Sequence, residues 1–265
     1  MRRYLVLLLL MIAGGGLIGV AARTTDQREP DNEKLGRELL RKAIVARGGE
    51  TFTSIRTLFT KGIFTPFQKG ESQIPSPFEN YIAYPDRERV DFGKGKKKDR
   101  RIQVNQGRTG WVYDGDAQTL KDQSEVQIAD YLEGIEIDID RILRADPNDP
   151  GRRISYAGRG ELRPGERADI VSIEMEPGRR ISIWLDRSTY LPISLTHEKS
   201  ANGGLTRLES RFFQYVRYDG VLFPNIIDTY RDGVQISRVN YQMISVGRAI
   251  DDRLFVKPAG IKEIR

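Results

Sequence analysis

The chain has 265 residues, of which 30% are charged with mixed sign, and a net charge of +6. With 38% hydrophobic residues it has enough apolar mass to offset its ordering entropy, and so small a basic surplus does not mark a nucleic-acid binder. Having no Cys and one His, His197, excludes disulfide frameworks, thiolate metal sites, cysteine nucleophiles and any site that needs two imidazoles.

Residues 1–22 differ from everything after them. Arg2 and Arg3 precede an apolar run from Leu5 to Ala13, glycines follow at 14–16, and Val20-Ala21-Ala22 offers a cleavage site. This is the pattern of a secretory signal peptide cut after Ala22, which places the mature chain outside the cytoplasmic membrane. The alternative is an uncleaved anchor, since Tyr4 to Ala22 just reaches spanning length. Residues 23–30 read as a polar linker, and residues 31–265 as a single domain.

Asp31 or Asn32 then caps a predicted helix with an apolar stripe of Leu35, Leu39, Leu40, Ala43 and Ile44, ended by Gly48-Gly49. From Thr51 onward short runs rich in β-branched and aromatic residues predict strands. They span 55–65, 80–92, 101–105, 110–113, 153–157, 168–176, 180–186, 191–198, 205–218, 221–231 and 234–246. Asp114-Gly115, Pro177-Gly178, Asp219-Gly220 and Asp232-Gly233 join neighbouring runs as hairpin turns, which favours an antiparallel meander. One segment interrupts the strands. Between Ser124 and Leu143, Ile128, Leu132, Ile135, Ile139 and Ile142 share a helical face, with Gly134 as a weak point, although 135–139 could also alternate as a strand.

The fold class expected is α+β, mostly antiparallel β. About ten strands would curl into an unclosed half-barrel, with the N-terminal helix on one face and the mid-chain helix as lid or plug. Large apolar residues on both sheet faces, such as the adjacent pairs Phe212-Phe213 and Ile226-Ile227, call for a second apolar partner beside the helix. That partner is the insertion helix, a bound apolar ligand, or both.

No catalytic motif stands out, and nothing calls for a metal or a cofactor. His197 ends a strand and reads as a surface or rim histidine, with Glu198 turned to the other face. Glu133, Glu136, Asp138 and Asp140 lack the loop spacing of a calcium site and read as the solvated face of the mid-chain helix. The segment 93–101 carries six basic residues and one acid. It is either a solvated hairpin tip or a contact for anionic headgroups through Lys94, Lys96, Lys97, Lys98 and Arg100. No aromatic residues interleave with it as a single-strand binder would require.

A series of short motifs runs along the chain. Ile55-Arg56-Thr57-Leu58 follows the Gly-Gly helix end, then come Tyr84-Pro85-Asp86-Arg87 and Gly110-Trp111-Val112-Tyr113. Leu185-Asp186 with Tyr190-Leu191-Pro192, Tyr218-Asp219-Gly220 with Phe223-Pro224, Asn240-Tyr241 and Ile250-Asp251-Asp252 complete it. In order and spacing this resembles the outer-membrane lipoprotein-sorting proteins, relatives of the periplasmic lipoprotein carrier. The resemblance implies an incomplete barrel whose cavity receives lipid or lipoprotein acyl chains beneath helical lids, without catalysis. Bulky apolar residues on central strands, Phe59, Ile63, Tyr81, Trp111, Trp184, Phe213 and Ile227, are the expected cavity lining. The mid-chain stripe is the expected lid, and a monomer is expected. The rival reading is a non-catalytic envelope module that offers its sheet edges to a protein partner. A hydrolase built on His197 and Glu198 comes third.

Overall fold

The structure, a computed structural model, describes residues 28–265 except 94, 147, 150, 177, 178, 202, 203 and 265. The expected signal peptide, the Pro177-Gly178 turn and Lys94 therefore lie outside the described residues. Helix α1 (Arg28–Arg47) begins within the stretch read as a linker, and a short α2 (Glu50–Thr53) follows it. Between them Gly48 and Gly49 take φ of 136° and 58°, and their amides cap the carbonyls of Val45 and Ile44.

Seven strands precede the helical segment: β1 (Thr57–Gln68), β2 (Glu71–Ser72), β3 (Ser76–Ala83), β4 (Arg87–Phe92), β5 (Arg101–Gln106), β6 (Thr109–Asp114) and β7 (Thr119–Asp122). Seven follow it: β8 (Arg153–Glu161), β9 (Arg167–Glu176), β10 (Arg179–Asp186), β11 (Pro192–Ala201), β12 (Gly204–Tyr218), β13 (Val221–Arg231) and β14 (Val234–Val246). The expected run 80–92 divides at Tyr84-Pro85, where proline has no N–H to give a ladder. Asp219-Gly220 and Asp232-Gly233 both have positive φ at the two central positions, as a two-residue hairpin turn requires.

All the pairings are antiparallel, in the order β7-β6-β5-β4-β3-β1-β14-β13-β12-β11-β10-β9-β8, with β2 added to β1. The first and last long strands thus meet mid-sheet, and the free edges are β7 and β8. The barrel stays unclosed. The helical segment α3 (Glu125–Glu136) and α4 (Ile139–Arg144) is the link between those two edges.

The inner face, on which the helices sit, holds the larger core. Leu39, Leu40 and Ala43 of α1 and Ile139, Ile142 and Leu143 of α4 pack against Leu58, Ile154, Val171, Ile181, Ile183 and Phe223 of the sheet. Each Leu, Ile, Val or Phe among them contributes roughly 1.5–3 kcal/mol on burial. Helix α1 seats most closely on β8, because Gly36 allows backbone to approach backbone. A Cβ there would lie 2.8 Å from the Ser155 carbonyl carbon and 2.9 Å from the Tyr156 nitrogen. Alanine improves helix propensity by about 1 kcal/mol. Prying a helix off a strand costs roughly 1–3 kcal/mol. Gly36→Ala is therefore expected to lower the urea midpoint, and a raised midpoint would contradict this seating.

The outer face has a core of its own. Ile102, Val104, Trp111 and Tyr113 of β5 and β6 are covered by Phe255 and Ile264 of the C-terminal segment. That segment is strapped down by Arg87–Asp252 at 2.7 Å, by Trp111 Nε1 donating to the Phe255 carbonyl at 3.0 Å, and by Lys257–Asp122 at 2.8 Å. Several of the sequence motifs are thus two sides of one clasp. The basic segment meets it too: Lys97 Nζ donates to the Lys262 carbonyl at 2.7 Å, while Arg100 is paired with Asp91 at 2.6 Å. Lys96 and Lys98 are exposed. The expected headgroup set is corrected to that extent, because Arg100 and Lys97 are engaged with the protein.

Candidate functional site

Strand β1 turns alternate residues inward: Leu58, Thr60, Gly62 and Phe64. Under the α3–α4 junction this face opens into a cavity of about 320 Å³. Its apolar wall includes Leu58, Ile82, Ile135, Ile139, Ile227 and Ile244. Further along β1 the floor becomes aromatic, with Phe64 and Phe78 each against Phe92 at 5.7 and 6.3 Å, and Phe78 against Tyr241 at 5.9 Å. A second, more open cavity of about 720 Å³ lies beyond, bounded by Phe64, Pro66, Ile74 and Phe92. From Leu58 to Pro66 the inner face runs for about 26 Å at the rise of an extended strand. Both volumes fall within the range of roughly 300–1,000 Å³ typical of small-molecule sites.

The helices are fixed in place by charge. Arg47, 0% exposed, ends the buried stripe of α1 and pairs with Asp140 of α4 at 2.7 Å. Its guanidinium lies 4.6 Å from the Phe52 ring centre and 5.2 Å from that of Phe223, and Nε donates to the Leu222 carbonyl. Burial opposes its charge most strongly, but Asp140, Tyr215 and Asp138 together outweigh burial and raise the Arg47 pKa. Arg144 of α4 stacks on Tyr84 at 3.8 Å and donates to the Ile55 carbonyl. Helix α4 is thereby locked to α1, α2 and the sheet. Helix α3 is different: it carries a capping box at Ser124 and Gln127, yet none of its side chains is fully buried.

The polar side of the cavity is acidic. Glu88 on β4 accepts from Asn80 Nδ2 at 2.7 Å, and burial raises its pKa. Asp138 caps α4 by accepting from the Arg141 amide at 2.9 Å. It is reached from the cavity mouth, yet the surrounding protein desolvates it and, with Asp140 and Glu88 nearby, raises its pKa to about 7. Folding therefore favours the protonated carboxyl between the unfolded value of about 4 and the folded value, and stability from this group falls as pH rises across that window. Asn keeps the cap without the charge. Asp138→Asn is expected to raise Tm relative to the unaltered protein at about pH 8 and leave it unchanged at about pH 4; equal shifts at both would refute this.

Of the residues expected to line the cavity, Ile227 does so, as do Ile135 and Ile139 of the expected lid. Ile142 is buried core, and Ile128 and Leu132 are half-buried on α3. The other six expected lining residues are on the outer face, and their assignment is corrected. Phe59 stacks with Tyr81 at 5.0 Å beneath Arg248, Ile63 follows Phe59 in outward parity, and Trp111 lies under the C-terminal strap. Trp184 covers Gly160, and Phe213 lies under the Arg163 guanidinium at 4.8 Å. The physical reason is parity: a shift of one residue moves a strand's whole set to the opposite face. His197 is also corrected. It is 3% exposed on the inner face, between Ile181 and Leu208 on the flanking strands, not at a rim. Asp138 and Asp140 leave the solvated face for the cavity and Arg47. Sequence reasoning missed Arg47, Glu88 and Thr60 as well; only Arg47 left a signal, since it continues the spacing of Leu40 and Ala43.

No protein-family model matches the chain, and no curated protein is significantly similar to it in sequence. Solved structures are similar in fold. A LolA superfamily protein from Nitrosomonas europaea is 13% identical with a TM-score of 0.55, over 84% of this chain and 97% of that one. A domain assigned to the outer membrane lipoprotein-sorting proteins, from Vibrio parahaemolyticus, is 12% identical with a TM-score of 0.58 over the same shares. A DUF1329 family protein from Desulfovibrio piger is 12% identical with a TM-score of 0.60, over 85% of this chain and 97% of that one. Open sheet, helical link between its free edges and inner cavity together give this chain the unclosed-barrel fold of the LolA superfamily and lipoprotein-sorting domains.

Proposed function

We propose that the protein is a non-catalytic periplasmic carrier that holds the acyl chain of a lipid or lipoprotein against its inner face, with lipoprotein sorting as its setting. The observation that carries this reading is the apolar cavity beneath a helix that buries none of its own side chains fully. Each methylene placed there gains about 0.8 kcal/mol. Helix α3 is the element that yields to a chain, while α4 stays as core. Exposed Lys96 and Lys98 would meet an anionic membrane surface. Residues 1–22 would be the export signal, cleaved after Ala22, and the working form a monomer without cofactor or nucleic acid.

The edge-pairing alternative has the free strands β7 and β8 in its favour. Both are blunted, however: β7 has four residues and β8 is packed by α1. Native mass spectrometry of the protein recovered from cell envelopes, followed by lipid extraction, tests the carrier reading. A co-purifying amphiphile of discrete mass is expected. Protein that emerges empty, and that takes up no added lysophospholipid, would overturn it.

A further inference from the structure

The apolar wall of the 320 Å³ cavity explains a hydrocarbon chain, but not the polar groups that face it. Thr60 is 2% exposed, lines the cavity and has no hydrogen-bond partner for Oγ1. Directly across the β1–β3 pair, behind the lining, is Asn80, whose Nδ2 holds Glu88 in place. Opposite them, from the α3–α4 junction, comes Asp138. Neither Glu88 nor Asp138 has a cation within ion-pair distance among the described residues, whereas Asp140 is matched by Arg47. Arg141, stacked on Tyr84 at 5.1 Å, is the opposing charge in the lining and offsets one of the two carboxylates.

The lining is therefore short of donors: Glu88 and Asp138 accept, the Thr60 hydroxyl can accept as well as donate, and the residual charge is negative. Leaving a buried acceptor unpaired costs about 1–3 kcal/mol, and an isolated buried carboxylate more. A ligand group with three donors and a positive charge would satisfy Thr60, Glu88 and Asp138 at once. A carboxylate or phosphate head could accept from the Thr60 hydroxyl, but it would add repulsion and leave Glu88 and Asp138 without donors.

We propose that this cavity selects amphiphiles whose head is a primary ammonium, seated between Glu88, Asp138 and Thr60, over equal chains with an anionic head. The proposal rests on the carrier reading and names the class of head that such a carrier accepts.

Calorimetric titration of the purified protein at about pH 8 with dodecylammonium, dodecanol and dodecanoate, each as monomer, tests it. The ammonium is expected to bind at least about tenfold more tightly than the carboxylate, with the alcohol between them. In Glu88→Gln/Asp138→Asn that ratio is expected to fall to within about twofold while all three chains still bind. If the three bind the unaltered protein equally, or the carboxylate binds best, head selection is refuted and the carrier reading stands. If none binds, both fail together. The comparison of heads needs no variant, and a double variant that does not fold leaves that primary result decisive.

Discussion

Arg47→Met is expected to destabilise the protein by about 3–5 kcal/mol, among the largest effects of any single substitution. The change strips Asp140 of its partner, and it removes the guanidinium from the rings of Phe52, Tyr215 and Phe223 at once. A buried ion pair contributes little net stability over a well-packed apolar pair, whereas one stranded half is costly. The double variant Arg47→Met/Asp140→Leu is therefore expected to recover most of the loss. Urea unfolding of the single and double variants checks both numbers. If the double variant is as unstable as the single one, the pair is not what joins α1 to α4.

Ile227→Trp is expected to weaken amphiphile binding by at least about tenfold and leave the fold intact. Ile227 lines the cavity and is only half-buried, so an indole extends into the open volume rather than into packed core. Displacing two or three methylenes at about 0.8 kcal/mol each accounts for that factor. Trp184→Ala, on the outer face beside Arg211 and Glu209, is expected to leave binding unchanged. Titration with a monomeric fatty amphiphile and circular dichroism of both variants check this. Weakening by Trp184→Ala equal to that by Ile227→Trp would place the chain on the wrong face.

Strands and hairpins were legible because Asp-Gly turns and β-branched runs are local signals, and most observed strands fall close to the expected ranges; the short β2 and β7 were not foreseen, and the sheet has fourteen strands where about ten were expected. Which face each strand turns inward was not legible, and the reason lies in the C-terminal segment. Phe255 and Ile264 bury the outer face of β5 and β6, so Ile102, Val104, Trp111 and Tyr113 alternate as core residues while turned away from the inner face. On β1 both faces are covered: Leu58 and Phe59 are neighbours, both buried, and point to opposite sides. The acidic group was misplaced for a different reason. A helix running on from Gly134 carries Asp138 and Asp140 on its solvated side, but the helix breaks at Ile137 and Asp138. The restart of α4 at Ile139 turns those carboxylates toward the cavity and Arg47. Arg47 itself was readable as a charge on an apolar stripe. Its partner, 93 positions away, was not.

A carrier of this kind holds its apolar chain on the inner face of the sheet. Photolabelling with a fatty amphiphile that carries a diazirine at its chain terminus, followed by peptide mapping, reads this directly. Saturable adducts are expected on inner-face residues around the cavity, among them Leu58, Ile82, Ile135, Ile227 and Ile244, and competed away by unlabelled amphiphile. Adducts confined to outer-face residues such as Trp111, Trp184 and Phe213, or labelling that does not saturate, would contradict it.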